Sequence, residues 1–184
     1  MQRSLQEKIL LYRISGKRDA EAFAELYDAY VAPVYRFVYL KLSNKEEAED
    51  VTSEVFMRTW DYLIQDETKP VDSFRALIYR IARNKVIDVY RERAKRKECS
   101  IDDVAEIHVE ANMHVMVDVG IESERVFRFM KQLKQEYQEI IHLKHIEGLS
   151  VREIAKILGK SSGNIRVILH RAVKKLQELS GAAQ

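Results

Sequence analysis

Apolar residues recur at three- and four-residue intervals along most of the chain, the period of amphipathic helices. Phe23, Leu26, Tyr27 and Tyr30 open the pattern, and Val34, Phe37 and Val38 resume it as far as Leu42. Pro33, between them, is expected to interrupt the helix or to start a new turn of it. Ser43 and Asn44 introduce a helix with Glu46 and Glu47 in its first turn, where carboxylates suit the helix dipole. Its apolar positions are Ala48, Val51, Val55, Phe56 and Leu63. Residues 65–72, with Pro70, read as a loop. Asp72 or Ser73 can then cap a long helix with Phe74, Leu77, Ile78, Ile81 and Ala82 on its buried face.

The pattern changes over 98–122, where acids alternate with Val, Ile, Met and His without a clean period. This stretch is long for a structureless loop inside one domain, so it reads as a linker between two. Beyond it, Val126, Phe129, Met130, Leu133, Tyr137, Ile140 and Ile141 predict one steady helix that Gly148 ends. Ser150 and Glu153 make a capping-box signature. Ile154, Ala155 and Leu158 form a short apolar face, Gly159-Lys160-Ser161 a tight turn, and Ile165, Leu169, Ala172 and Leu176 the face of a following helix. A short helix, a turn with glycine and a basic second helix match the helix-turn-helix pattern.

Composition supports an all-α chain: among 184 residues there are 6 Gly and 2 Pro, few places to turn sharply. The single cysteine, Cys99, excludes an intramolecular disulfide and any multi-cysteine zinc site. No apolar run is long enough to span a bilayer and the first residues show no signal-peptide core, so a soluble cytoplasmic protein without membrane insertion is expected. The formal net charge of +2 conceals an alternation: −6 over 44–67, +7 over 73–97, −7 over 98–122 and +6 over 150–176. Two basic segments between acidic ones suggest two polyanion contacts, although any one run could be a solvated helix face.

In a helix-turn-helix the second helix enters the major groove of DNA. With the apolar face buried, Asn164, Val167, Ile168, Arg171 and Lys175 face outward. Arg171 can bind guanine bidentately, Asn164 a base or a phosphate, and Val167 and Ile168 thymine methyls. Equally, a rotated helix would place Ile168 or Val167 in the core. Arg166, Lys160 and Lys174 flank the face, placed for phosphates. On the 73–97 helix, Arg80, Asn84, Arg91 and Lys95 form one stripe, and Tyr79 with Asn84 near its start could hold an unpaired base. The alternative is a solvated basic face with Tyr79 half in the core. Glu47, Asp50 and Glu54 share a face of the acidic helix. A metal-dependent nuclease could use such carboxylates, but on a single helix they converge poorly on an ion, and a partner surface for basic residues fits better. His108, His114, His142, His145 and Cys99 make no metal-ligand spacing, and no phosphate loop or nucleophile constellation is present. Nothing points to an enzyme, a cofactor, a metal or a small-molecule substrate.

The stretches AFAELYDAYVAPVYRFVYLKL, AEDVTSEVFMRTW and SFRALIYRIARNKVIDVYRERAKR, then LSVREIAKILGKSSGNIRVILHRAVKKL after the linker, resemble a bacterial RNA polymerase sigma factor of the extracytoplasmic-function group. The resemblance covers about 20–97 and 123–178. It implies two small helical domains joined by the acidic linker: a helical extension at 1–19, a region 2-like domain at 20–97, the linker at 98–122 and a region 4-like helix-turn-helix domain at 123–184. It further implies that the acidic helix binds the clamp coiled coil of core RNA polymerase, with Asp50, Glu54 and Phe56 at matching positions and Glu47 on the same face. The next helix would recognise and help open the −10 promoter element, with Tyr79 and Asn84 near the pocket for an extruded base and Arg80, Lys85, Arg91 and Arg93 along the basic face. The helix-turn-helix would read the −35 element with Arg166 and Arg171. The linker would run through the polymerase channels, its charge mimicking RNA.

Two helices depart from the family pattern. Val167, Ile168 and Val173 stand where a small polar residue and two arginines are common, which implies weaker phosphate contact or a different −35 sequence. Leu77 stands where a tryptophan is usual. The expected function is therefore promoter recognition, opening and initiation as a subunit of RNA polymerase, with promoter DNA and an anti-sigma protein as the other implied partners. The rival is a stand-alone helix-turn-helix regulator that binds duplex DNA as a dimer.

Overall fold

The structure, a computed structural model, describes residues 2–65, 71–99, 129–130 and 132–181. Among these residues there are seven helices and no strand: α1 (Gln2–Lys17), α2 (Ala20–Leu42), α3 (Lys45–Gln65), α4 (Phe74–Cys99), α5 (Gln135–Ile141), α6 (Val151–Leu158) and α7 (Ser162–Gly181). The chain divides into two compact units, Met1–Ala111 and Asn112–Gln184. The expected linker at 98–122 lies outside the described residues beyond Cys99, up to which α4 runs.

In the N-terminal unit, α2, α3 and α4 pack on one another and α1 lies against α2 and α3. The helix boundaries follow local chemistry. Asp19 caps α2 by accepting from the Ala22 N–H at 3.1 Å and is held by the Arg13 side chain at 2.9 Å. The Asn44 side chain accepts from the Glu47 N–H at 2.9 Å, and Ser73 caps α4 by accepting from the Ala76 N–H at 3.2 Å. Pro33 lies inside α2 and does not interrupt it. An internal proline costs a helix about 3 kcal/mol, but Tyr30, Val34, Phe37 and Val38 are all buried on the continuing face, so packing holds the helix together across it.

The core of this unit is aromatic. Phe37 meets Tyr79 edge-on with centroids 5.4 Å apart, and Tyr30 meets Phe74 at 5.2 Å. Phe23 touches both Phe56 and Trp60, the latter at 5.1 Å, and Tyr27 touches Phe56 at 4.7 Å. Each such pair adds about 0.5–1.5 kcal/mol beyond the area it buries. Phe74, Ala76, Leu77, Ile78 and Tyr79 are all buried, so the first turns of α4 run through the middle of the unit with little surface of their own.

In the C-terminal unit α5 and α6 both pack on α7. The single helix expected through 147 is broken. The chain turns at Gln132 and Leu133, Lys134 is extended (φ −57°, ψ 144°), and α5 starts anew at Gln135. The Gln138 side chain donates to the Leu133 carbonyl at 2.8 Å and satisfies the break, while Leu133 remains buried. After Ile141 the helix widens into one π-type turn, His142–Ile146, and Gly148 leaves it at φ 65°. Buried His142 faces Glu147 at 3.1 Å in that turn.

The expected capping box is present in full. The Ser150 Oγ accepts from the Glu153 N–H at 3.2 Å and the Glu153 carboxylate accepts from the Ser150 N–H at 2.8 Å. Gly159 ends α6 in the left-handed region at φ 63°, and the Ser161 side chain accepts from the Asn164 N–H at 3.2 Å to start α7. The turn between the two helices is thereby set at both ends. Ser150→Ala is expected to lower the stability of the C-terminal unit by about 1 kcal/mol, measurable as a lower urea midpoint with an unchanged slope.

Candidate nucleic-acid and polymerase interface

Two surfaces, one in each unit, carry the candidate residues. On α7, Ile165, Ile168 and Ala172 are buried, whereas Leu169 and Leu176 are only half-buried. The helix is therefore turned from the expected azimuth, and Ile168 is a core residue and not a base contact. Its neighbour Val167 stays 48% exposed. The outward arc is centred on Val167, His170, Arg171 and Lys174, with Asn164, Arg166 and Lys175 along its margins, all exposed. His170 was missed by sequence reasoning, although it stands three residues after Val167 and four before Lys174 and so shares their stripe. Lys175 pairs with Glu178 at 3.1 Å, an exposed contact that a phosphate can replace. Lys160 is taken up by Glu136 of α5 at 3.0 Å.

On α4, Arg80, Asn84, Arg91 and Lys95 are all exposed along the stripe the spacing predicts. Tyr79, assigned to a base pocket, is fully buried against Phe37. It lies one residue, or 100° of helix rotation, from Arg80, enough to carry it from the stripe into the core. Leu77 is buried as well. Lys85 and Arg93 leave the basic face for α3: Lys85 Nζ donates to Glu54 at 2.5 Å, and Arg93 is bonded to Glu47. These two cations are partners of the acidic helix in the free protein.

The same contacts rearrange the reading of α3. Glu54 is held between Lys85 and Arg58, the latter at 2.9 Å. Glu47 is held by Arg93. Phe56 is buried among Phe23 and Tyr27 and offers no ring outward. Asp50 is exposed and makes no ion pair among the described residues; Glu46, Glu49 and Asp61 are the other exposed acids of this helix. Glu49 pairs with Lys45 of its own helix, at 3.9 Å. No group of three or more His, Cys, Asp or Glu among the described residues could hold a metal ion, and of the three carboxylates sharing that face Glu47 and Glu54 are engaged by bases.

The family model for Sigma-70 region 2 matches residues 26–96 and that for Sigma-70 region 4 matches residues 123–176. The chain is 31% identical to the ECF RNA polymerase sigma factor SigW of Bacillus subtilis over 173 residues, covering 88% of this chain and 90% of that one. The chain belongs to the extracytoplasmic-function sigma factors. It is also 33% identical to the sigma factor BldN of Streptomyces coelicolor over 168 residues, but spans 61% of that relative's length. Among solved structures, CnrH in complex with the cytosolic domain of CnrY superposes with a TM-score of 0.68 at 25% identity, covering 97% of this sigma factor and 99% of CnrH. RpoE of Bartonella quintana, solved with the anti-sigma factor NepR, shares the fold at a TM-score of 0.66. No described helix of this sigma factor is long and apolar enough to cross a membrane.

Lys85 sets the electrostatics of Glu54. Its hydrogen bond is the largest cause holding that carboxyl below the ordinary value of 4.5; partial burial opposes it, and the charges of Lys85 and Arg58 reinforce it. A carboxyl depressed in the folded state stabilises the fold above its ordinary value, and that contribution disappears as pH falls through the depressed one. Glu54→Gln is therefore expected to lower the melting temperature near neutral pH. The gap to wild type should close as the pH is taken well below 4.5, followed by thermal unfolding across an acid series.

Proposed function

We propose that this sigma factor binds core RNA polymerase through the open acidic surface of α3, contacts the −10 element along α4 and reads the −35 element with α7. The observation that carries this reading is the division of the charges. Asp50, Glu46 and Glu49 remain exposed on α3, and Arg80, Arg91 and Lys95 on α4 with Asn84 beside them, Arg91 meeting Asp88 of its own helix at 3.5 Å, while Lys85–Glu54 and Arg93–Glu47 close the α3–α4 interface. Asp50 is the principal docking residue. Glu47 and Glu54 position the two helices and act on polymerase only through that geometry.

For the −35 element, Arg171 is placed for guanine, Val167 for a thymine methyl and Asn164 at the margin for a base or phosphate. Arg166, Lys174 and Lys175 supply phosphate contacts, which set affinity rather than sequence. For the −10 element, Arg80, Arg91 and Lys95 follow the backbone and Asn84 offers a hydrogen-bonding edge. The protein acts by binding, without chemistry of its own, in the cytoplasm where core polymerase works. An anti-sigma protein is the further partner, a reading supported by the CnrH–CnrY complex. A stand-alone regulator is not favoured, because relatives match along both units and not along the helix-turn-helix alone.

Asp50→Arg separates docking from folding, since Asp50 lies in no ion pair among the described residues. It is expected to abolish co-elution with bacterial core RNA polymerase on size exclusion while leaving the melting temperature unchanged. Undiminished co-elution would remove Asp50 from the docking surface, and tight duplex binding by the free wild-type protein without any affinity for core would favour the regulator. On the same holoenzyme, Arg171→Ala should weaken binding to a promoter with its −35 element by about tenfold, measured by fluorescence anisotropy.

A further inference from the structure

Apolar side chains of α1 face water as well as the core. Leu10, Leu11 and Ile14 are buried against the rest of the N-terminal unit. Leu5, Ile9 and Tyr12 stand on the opposite side of the helix and are 64%, 55% and 76% exposed. At about 100° per residue the three lie within about 60° of one another and span roughly 10 Å of helix. They form a ridge. Its flanks are basic, with Lys8 on one side, Arg13 and Lys17 on the other, and Arg18 just beyond the helix. Lys8, Lys17 and Arg18 are exposed and make no ion pair among the described residues. Arg13 meets Asp19 and ties back Glu25 of α2 at 3.6 Å. Glu7, the one acid in α1, lies on the packed side and accepts from the Tyr30 hydroxyl.

We propose that α1 is a peripheral anchor that rests on the surface of an anionic lipid bilayer. An apolar ridge between rows of Lys and Arg is the arrangement of helices that lie in the headgroup layer. Leu5 and Ile9 enter the acyl boundary, and Tyr12 sits at headgroup level with its hydroxyl in water. Lys8 and Lys17 lay their stems along the ridge and carry their charges to lipid phosphates on either side. The helix lies on the bilayer and does not cross it, and no described helix is long and apolar enough to do so. Charge and shape select this occupant. A second copy of the chain sets cations against cations. A specific protein interface takes about 800 Å² from each partner, more than three side chains in single file supply. A lipid surface demands no matching shape, only negative charge and apolar depth.

The test is co-sedimentation of the full chain with vesicles. Wild type is expected to pellet with phosphatidylcholine vesicles containing about one third phosphatidylglycerol, and to bind pure phosphatidylcholine about tenfold more weakly. Salt at about 1 M, where charges are screened beyond roughly 3 Å, should release it. Leu5→Gln/Ile9→Gln should weaken binding to the anionic vesicles by about tenfold. Its melting temperature should match wild type, because both side chains are exposed. Failure of wild type to bind anionic vesicles overturns the proposal. Equal binding by the glutamine variant also overturns it, since the basic faces of α4 and α7 then account for the attraction. A wild-type dimer on size exclusion that the variant dissociates assigns the ridge to a second copy instead. Co-elution with core RNA polymerase lost in the variant assigns it to polymerase instead, whereas co-elution retained by both proteins leaves the sigma reading intact whatever the vesicles show.

Discussion

The azimuth of α4 decides what the N-terminal unit can present. Tyr79 is driven edge-on into Phe37 and Phe74 against Tyr30, and once those rings are seated the helix cannot rotate about its axis without emptying the core. Burying a ring of that size contributes roughly 1.5–3 kcal/mol, so two such contacts outweigh any surface preference of the residues between them. Arg80, Asn84, Arg91 and Lys95 are exposed because Phe74, Ile78, Tyr79, Ala82 and Val86 are not. The basic stripe is the residue of a packing decision made on the opposite side of the helix.

A second constraint is the matching of α3 to α4. The acidic segment, net −6, and the basic segment next to it, net +7, meet in two ion pairs among the described residues, Glu54–Lys85 and Glu47–Arg93. Glu54 with Lys85 and Glu47 with Arg93 join α3 and α4 in antiparallel order. The pairing also sorts the charges by role. Those that face each other support the fold, and Asp50, Arg91 and Lys95 remain available to macromolecules that approach from outside.

Helix ends were legible in the sequence wherever a cap depends on residues within one turn: Asn44, Ser73, Ser150 with Glu153, and Gly159 all act as their local chemistry requires. Legibility failed where the answer depends on a partner helix. Tyr79 and Ile168 each sit one residue from a position facing the other way, and a shift of one residue in azimuth is decided by the neighbouring helices and not by the periodicity. The break at 132–134 was hidden for a related reason, since apolar spacing continues through it while Lys134 alone turns extended. Lys85 and Arg93 looked like free cations because their counterions lie 31 and 46 residues earlier.

Trp60 is the only tryptophan in the chain, and it packs at 5.1 Å from Phe23 in the N-terminal unit; the C-terminal unit has none. Selectively excited indole emission consequently reports on one unit and is blind to the other, whereas far-ultraviolet ellipticity sums the helices of both. The two signals coincide on denaturation only if the units melt together. A gap between them would resolve the free energies of the two units separately, in a single sample and without cutting the chain, where one two-state value would average them.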